Sequence, residues 1–103
     1  MDAQLKRGIL NICILQLLNK EDRYGYDLVK ILQQFFTDTE ESTLYAILRR
    51  LNKEGLTDMY YSEISHGPKR KYYRITSKGK ECLNNYIVSW HEIENIFSEI
   101  EIL

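Results

Sequence analysis

The hydrophobic positions of the chain fall into four helix-like segments and one pair of strand-like segments. The first segment, Leu5 to Leu18, is apolar on more than one side, whereas a surface helix has one apolar stripe. We therefore expect this helix to be buried between two partners. A second helix is predicted from Tyr24 to Phe36, with Asp22 as its candidate cap. The apolar face of that helix consists of Leu28, Val29, Leu32, Phe35 and Phe36.

A third helix is predicted in TDTEESTLYAILRRLNKEGL, where Gly55 supplies the stop signal. Asp38 or Thr39 can cap it, and Glu40 and Glu41 follow where the helix dipole favours anions. Its buried stripe consists of Leu44, Ile47, Leu48 and Leu51. The opposite side, at about 100° per residue, holds Ser42, Ala46, Arg49 and Lys53, flanked by Thr43, Tyr45 and Arg50. The exposed face of this helix is therefore basic, with short side chains in its N-terminal half.

Two strand-like runs follow, LTDMYYSEI and RKYYRIT, joined by SHGPK. The Gly-Pro turn signal between them predicts a hairpin. Its tip and returning strand carry Lys69, Arg70 and Lys71 in succession. Three cations alone are typical of a solvated turn, but beside a basic helix face they favour a contact with phosphates.

The chain after Thr76 returns to a helical pattern that continues to its end. Leu83, Tyr86, Trp90, Ile93, Phe97 and Ile100 are spaced 3, 4, 3, 4 and 3 residues apart. This is a heptad seam about 27 Å long at 1.5 Å per residue. A seam of that length needs another helix to cover it.

Composition and charge narrow the classes of protein. At 103 residues, 44% hydrophobic, the chain can form one small domain with a modest core, so a dimer is a reasonable expectation. All fourteen Lys and Arg precede residue 81, whereas the last 23 residues hold five Glu and neither Lys nor Arg. This division suggests that one part of the chain meets a polyanion.

Several kinds of site are not indicated. The apolar run Ile9 to Leu18 is too short to cross a bilayer, and no secretory signal pattern begins the chain. Cys13 and Cys82 are interpreted as reduced thiols of a cytoplasmic protein, since neither lies in a CxxC motif. His66 and His91 lack ligand partners at zinc spacing, and they are interpreted as surface residues. No catalytic or cofactor motif is found, so we expect neither an enzyme nor a cofactor.

The order of elements predicts a mainly α (α+β) winged helix-turn-helix. Residues 1–76 would form the DNA-binding domain and residues 77–103 a long dimerisation helix. In this arrangement the third helix enters the major groove, and the hairpin, or wing, follows the backbone or enters the minor groove. The candidate DNA-binding residues are Ser42, Thr43, Tyr45, Ala46, Arg49, Arg50 and Lys53, with Lys69, Arg70, Lys71 and Tyr73 from the wing. The alternative is a winged-helix adaptor that binds other proteins and not DNA.

Three ordered motifs carry a family resemblance. YGYDL, STLYAILRRLNKEGL and GPKRKYYRITSKGKE resemble the PadR family of bacterial transcriptional regulators, over Leu5 to about Gly79. A lone helix after the wing resembles the small subgroup of that family. The resemblance implies a cytoplasmic repressor that binds a pseudo-palindromic operator. It also implies a homodimer in which the last helix packs against the first helix of the other subunit.

Trp90, the one tryptophan, supports two interpretations. It is either a large residue of a dimer core or part of a ligand site. The second follows from the resemblance, because some members of the small subgroup are multidrug sensors whose paired tryptophans hold flat aromatic ligands. Glu94, one turn away, could attract a cationic ligand. The same cavity could be lined by Asn11, Gly8, Ile12 and Ile87.

Overall fold

A computed structural model of the chain describes residues 1–62 and 67–103. Its elements, in chain order, are α1 (Ala3–Lys20), β1 (Arg23–Tyr24), α2 (Gly25–Phe35), α3 (Glu41–Lys53), β2 (Thr57–Ser62), β3 (Arg70–Ile75) and α4 (Ser77–Glu99). The three strands form one antiparallel sheet in the order β1-β3-β2. This confirms the predicted fold class. Glu63, Ile64, Ser65 and His66, which belong to the predicted first strand-like run and turn, lie outside the described residues.

Helix α1 is the centre of the core. The Asp2 carboxylate caps it by accepting hydrogen bonds from the backbone N–H groups of Gln4 and Leu5. Its buried side chains pack with those of α2 and α3, and they are Leu10, Ile14, Leu15 and Leu18. On the opposite side Ile9 and Ile12 are only partly buried, and Leu5 is 57% exposed. One chain therefore leaves part of the apolar surface of α1 uncovered.

The prediction for the second helix was wrong at both ends. Residues 23 and 24 form strand β1, which pairs with β3, so α2 begins only at Gly25. Asp22 is not its cap, because the Asp22 carboxylate instead accepts a hydrogen bond from the Tyr60 hydroxyl at 2.7 Å. Phe35 is not on the buried face and is 76% exposed, whereas the following Phe36 is 8% exposed. The helix ends at Phe35, and the chain then turns Phe36 into the core.

The predicted cap of the third helix was also wrong. Glu40 occupies the N-cap position of α3 and makes no side-chain cap hydrogen bond. The Asp38 carboxylate lies 3.4 Å from the Lys6 ammonium, and the local backbone hydrogen bond, followed by the Lys6 charge, lowers the pKa of Asp38. Thr39 is buried, and its hydroxyl has no hydrogen-bond partner among the described residues. The predicted stop was correct, since Gly55 has a φ of 79°, in the left-handed region that glycine tolerates.

Helix α4 is anchored at its first turn and then leaves the core. Thr76 caps it, accepting from the Gly79 N–H at 3.0 Å and donating to the Gly55 carbonyl oxygen at 2.7 Å. Gly79 allows a close approach, because a Cβ there would overlap the Leu56 carbonyl oxygen. Beyond Leu83 every residue of α4 is at least partly exposed. The chain is accordingly elongated and measures 56 × 30 × 21 Å. Among the described helices, none combines the length and the apolarity required for a membrane span.

Candidate nucleic-acid interface and C-terminal cavity

The exposed face of α3 carries the residues that its periodicity predicts. Ser42, Thr43, Ala46, Arg49 and Lys53 are exposed, while the opposite stripe is buried in the core. The two halves differ, because the N-terminal half has short side chains and the C-terminal half has cations. A face of this kind can approach a polyanion closely with its first turns and neutralise charge with its last.

Arg50 is the exception on this helix. It is half-buried, and its Nη2 donates to the Asn11 Oδ1 of α1 at 2.7 Å. Its Nη1 lies 3.4 Å from the Glu54 carboxylate. The guanidinium therefore joins α3 to α1, although the Arg50 side chain remains 41% exposed.

Two of the predicted wing cations rest on tyrosine rings. The Arg70 guanidinium lies 5.1 Å from the ring centre of Tyr24, and the Lys71 ammonium lies 5.5 Å from that of Tyr73. Both distances suit a cation–π contact. Lys69, just before β3, is exposed. Arg70 and Lys71 are thus held against tyrosine rings at the start of β3.

The outer tyrosines of the sheet form a row. Tyr60 stacks on Tyr72 with ring centres 5.7 Å apart, and Tyr72 lies 6.0 Å from Tyr24. The pairing of β2 and β1 with β3 sets these residues side by side. The row joins the wing to the strand that precedes α2, so the hairpin and α2 are fixed relative to each other.

A cleft of about 280 Å³ lies where α2, α3 and the wing meet, and we call it the wing cleft. Its lining consists of Tyr24, Gly25, Tyr26, Tyr45, Arg49, Lys71 and Tyr73. Arg49 from α3 and Lys71 from the wing therefore face one concave surface. Tyr45 is half-buried here, and burial followed by the charge of Glu41 raises its pKa. Its hydroxyl is a neutral hydrogen-bond donor at physiological pH.

Sequence reasoning missed the contribution of α2 to this cleft. Tyr24 begins the second predicted helix and Tyr26 follows within the motif YGYDL, but neither residue is among the predicted DNA contacts. Gly25 between them lies against the ring of Tyr73, since a Cβ there would be 3.1 Å from a ring carbon. The available signal was the tyrosine pair around a glycine at the start of an amphipathic helix.

A second cavity, of about 280 Å³, lies between α1 and α4, and we call it the C-terminal cavity. Its lining consists of Ile9, Ile12, Cys13, Tyr86, Ile87, Trp90 and His91. Among the predicted ligand residues, Ile12, Ile87 and Trp90 line it. Trp90 is 41% exposed, so its ring forms an open wall. Burial raises the pKa of the Cys13 thiol, which lowers its reactivity as a nucleophile.

The other three predicted ligand residues lie elsewhere. Asn11 is 9% exposed and is not part of this lining, and its Oδ1 accepts a hydrogen bond from Arg50. Gly8 is exposed one turn before Ile12 and does not reach the cavity of one chain. Glu94 is also outside the lining, and its carboxylate lies 3.1 Å from the His91 Nδ1. A carboxylate near the mouth of the cavity is therefore present, although it is engaged with a histidine.

The heptad seam of α4 becomes more exposed from its first residue to its last. Leu83 is buried and Tyr86 packs partly against the core of its own chain. Farther along, Ile93 and Phe97 are only partly buried and Ile100 is 62% exposed. The second half of the seam is therefore uncovered in one chain, as is the outer side of α1.

Comparisons with known proteins agree with this geometry. The model of the transcriptional regulator PadR-like family matches residues 14–85, more than half of the chain. A PadR-like transcriptional regulator from Bacillus cereus is 37% identical, with 95% of this chain and 96% of that chain covered and a TM-score of 0.84. A Streptococcus transcriptional regulator is 29% identical, with 97% and 99% covered and a TM-score of 0.85. An uncharacterised protein of Lysinibacillus sphaericus is 41% identical over 97 residues, 91% of this chain and 89% of that protein.

These matches confirm the family resemblance drawn from the three motifs. Both the family description and the structural relatives name transcriptional regulators, and the exposed basic helix beside a cationic wing fits that activity. The prediction that the chain is not an enzyme is confirmed on the same ground. The chain belongs to the PadR-like family of transcriptional regulators, and it is a DNA-binding regulator.

Proposed function

We propose that the chain is a ligand-responsive repressor that binds a pseudo-palindromic operator as a homodimer. Residues 1–76 would read DNA and residues 77–103 would join the two subunits. The protein would act in the cytoplasm, where the bacterial chromosome lies. The observation that carries the proposal is that Arg49 of α3 and Lys71 of the wing line the same cleft. Cations of α3 and of the wing therefore lie where they could contact the same polyanion.

The two groups of residues have different roles in this proposal. The exposed side chains of α3, above all Arg49 with Ser42, Thr43 and Ala46, would enter the major groove and contact base edges. Lys53, Lys69, Arg70 and Lys71 would neutralise phosphates, and Tyr45 would border that contact. Tyr73 is only 3% exposed, so it would support Lys71 from the core and not contact DNA. Phosphate contacts set the position on DNA, whereas base contacts determine sequence preference. Arg50 faces α1, so we assign it to holding α3 in place and not to a base.

The uncovered apolar surfaces support the homodimer. Leu5, Ile9 and Ile12 leave one side of α1 exposed or partly exposed, and the second half of the α4 seam is likewise uncovered. Each surface fits the other across a two-fold axis, where a C₂ contact is made twice.

Ligand response would come from the C-terminal cavity. Its wall includes the exposed ring of Trp90, and a second copy of the cavity would face it in the dimer. Planar aromatic ligands, cationic ones in particular, suit an aromatic wall with carboxylates nearby. Such a ligand releases the operator only if it binds one separation of the two α3 helices better than another. A titration of operator affinity against ligand concentration tests this, and an unchanged affinity would leave the cavity without a regulatory role.

Selection of bound sequences from a random DNA pool tests the proposal as a whole. We expect an enriched sequence with dyad symmetry and half-sites separated by about one helical turn of DNA, or a small multiple of it. Affinity should fall steeply with salt, because each neutralised phosphate releases counterions. The rival protein-binding adaptor predicts no enriched sequence and only weak binding to any duplex.

A further inference from the structure

Asn11 lies between the DNA-reading helix and the C-terminal helix. It is 9% exposed, on the side of α1 that faces the core, next to the buried Leu10. Its Oδ1 accepts the 2.7 Å hydrogen bond from Arg50 of α3. The neighbouring side chains of α1 that face the core are apolar and cannot accept from a guanidinium. Without Asn11 a half-buried charged donor of α3 would lose an acceptor, which is more unfavourable than the loss of an exposed contact.

Tyr86 of α4 lies against the same segment of α1, because it lines the C-terminal cavity together with Ile12 and Cys13, the two residues that follow Asn11. Burial raises the pKa of Tyr86, and so do the charge and hydrogen bond of Cys82, whereas a hydrogen bond with Asn11 and the charge of Arg50 lower it. An amide can serve both neighbours because its oxygen accepts from Arg50 while its nitrogen donates to a hydroxyl. Tyr86 also lines the C-terminal cavity, one turn before Trp90. Three helices thus meet at one buried amide.

We propose that Asn11 is a positioning residue that fixes the orientation of α3 through Arg50 and links that orientation to the cavity wall at Tyr86. The inference rests on the proposed function, since it assigns a cause to the coupling between cavity and operator. A residue with this role acts on sequence-specific binding more than on general affinity, because it orients base-reading side chains without removing a cation. By reciprocity, operator binding must also alter the cavity wall.

The test uses the full chain, the DNA sequence selected from the random pool, and a scrambled duplex of equal length. Asn11→Leu keeps the branching of the side-chain heavy atoms but has neither an acceptor nor a donor. We expect the ratio of operator affinity to scrambled-DNA affinity to fall about tenfold, the range of one hydrogen bond to a charged group. Asn19→Leu makes the same chemical change at an exposed position of α1 and should leave the ratio unchanged. Asn11→Asp keeps the acceptor for Arg50 and should restore most of the ratio.

A second measurement separates positioning from general stability. Trp90 is the one tryptophan of the chain, so its emission reports on the cavity wall directly. Operator binding should change that emission in the wild-type protein, and both Asn11→Leu and the milder Tyr86→Phe should reduce the change at least twofold. If Asn11→Leu does not fold, Asn11→Ser repeats the comparison with a polar residue too short to reach Arg50.

The outcomes are distinguishable. A wild-type chain that binds no duplex with sequence preference refutes the proposed function itself. A wild-type chain that binds its operator, together with an unchanged affinity ratio in the Asn11 variants, refutes the inference alone. An equal loss of operator and scrambled-DNA binding in a folded Asn11→Leu variant would also overturn it, because that result describes general weakening and not positioning.

Discussion

Removing one cation from the wing and one from α3 should have different consequences for DNA binding, although both side chains line the wing cleft. Lys71→Ala removes a charge that lies against the ring of Tyr73 at the base of the wing. We expect it to weaken binding to all sequences alike. Arg49→Ala removes an exposed side chain from the face of α3, and we expect it to change which bases are preferred.

The sizes of the two effects follow from the kind of contact. Each phosphate contact makes the fall of log affinity with log salt concentration steeper by about 0.9. When one such contact is lost, the decrease in affinity between about 50 and 200 mM salt becomes about 3.5-fold smaller. A well-placed contact to a base edge is worth about 1–3 kcal/mol of discrimination, or about 5- to 150-fold. Both changes lie at or near the surface, so the free energy of unfolding should move by only about 1 kcal/mol or less.

The assay is fluorescence anisotropy with labelled operator and scrambled duplexes at four or more salt concentrations. Lys71→Ala should lower the salt slope for both duplexes and keep their affinity ratio. Arg49→Ala should reduce the ratio, and selection from a random pool should show relaxed preference at defined positions. Lys20→Ala, which removes an exposed cation at the end of α1 away from the wing cleft, serves as the matched control.

A loss of sequence preference from Lys71→Ala equal to that from Arg49→Ala would refute the division between wing and helix. So would a salt slope that neither variant alters, since the cleft would then not meet phosphates. A slope lowered equally by Lys20→Ala would mean that net charge, and not the position of the cation, determines binding.

Three further predictions concern stability and the cavity. Gly79→Ala should destabilise the chain by about 2–3 kcal/mol in urea unfolding, because the new Cβ overlaps the main-chain oxygen of Leu56. The cost of that overlap exceeds the roughly 1 kcal/mol that alanine gains over glycine in helix propensity. Lys80→Ala, at the next and exposed position, is its control, and equal midpoints would contradict the overlap. Phe36→Ala should lower the free energy of unfolding by about 3–5 kcal/mol, because Phe36 is buried, whereas Phe35→Ala should lower it by less than about 0.5 kcal/mol, because Phe35 is exposed. A larger loss from Phe35→Ala would contradict these exposures. Planar cationic dyes at micromolar concentration should quench the emission of Trp90 saturably, and a linear, unsaturated response would exclude a defined site.

Periodicity predicted the helices because their apolar faces are local features of the sequence. The stripe of Leu44, Ile47, Leu48 and Leu51 is buried as expected, and the opposite face of α3 is exposed. The heptad spacing of α4 and the Gly-Pro turn signal of the hairpin likewise predicted elements that the structure contains. In each case a pattern of ten or more residues, or a specific turn residue, carried the information.

The errors arose where a distant partner decides the local structure. Strand β1 has only two residues and exists because β3 pairs with it, so no local pattern could indicate it. Asp22 has the chemistry of a cap but is engaged by Tyr60, 38 residues along the chain. Asn11 was interpreted as a polar break that lines a cavity, whereas its partner Arg50 lies on another helix. Candidate side chains could be named from the sequence, but their partners required the fold.

Sedimentation equilibrium of the purified chain, alone and with its selected duplex, determines whether two chains join to bind DNA. We expect a species of twice the 12.3 kDa chain mass at micromolar concentration, and two chains bound per dyad-symmetric duplex. In that species the emission of Trp90 should be shifted to the blue, as for an indole shielded from water. A stable 12.3 kDa monomer with a water-exposed indole, bound singly to DNA or not at all, would contradict it.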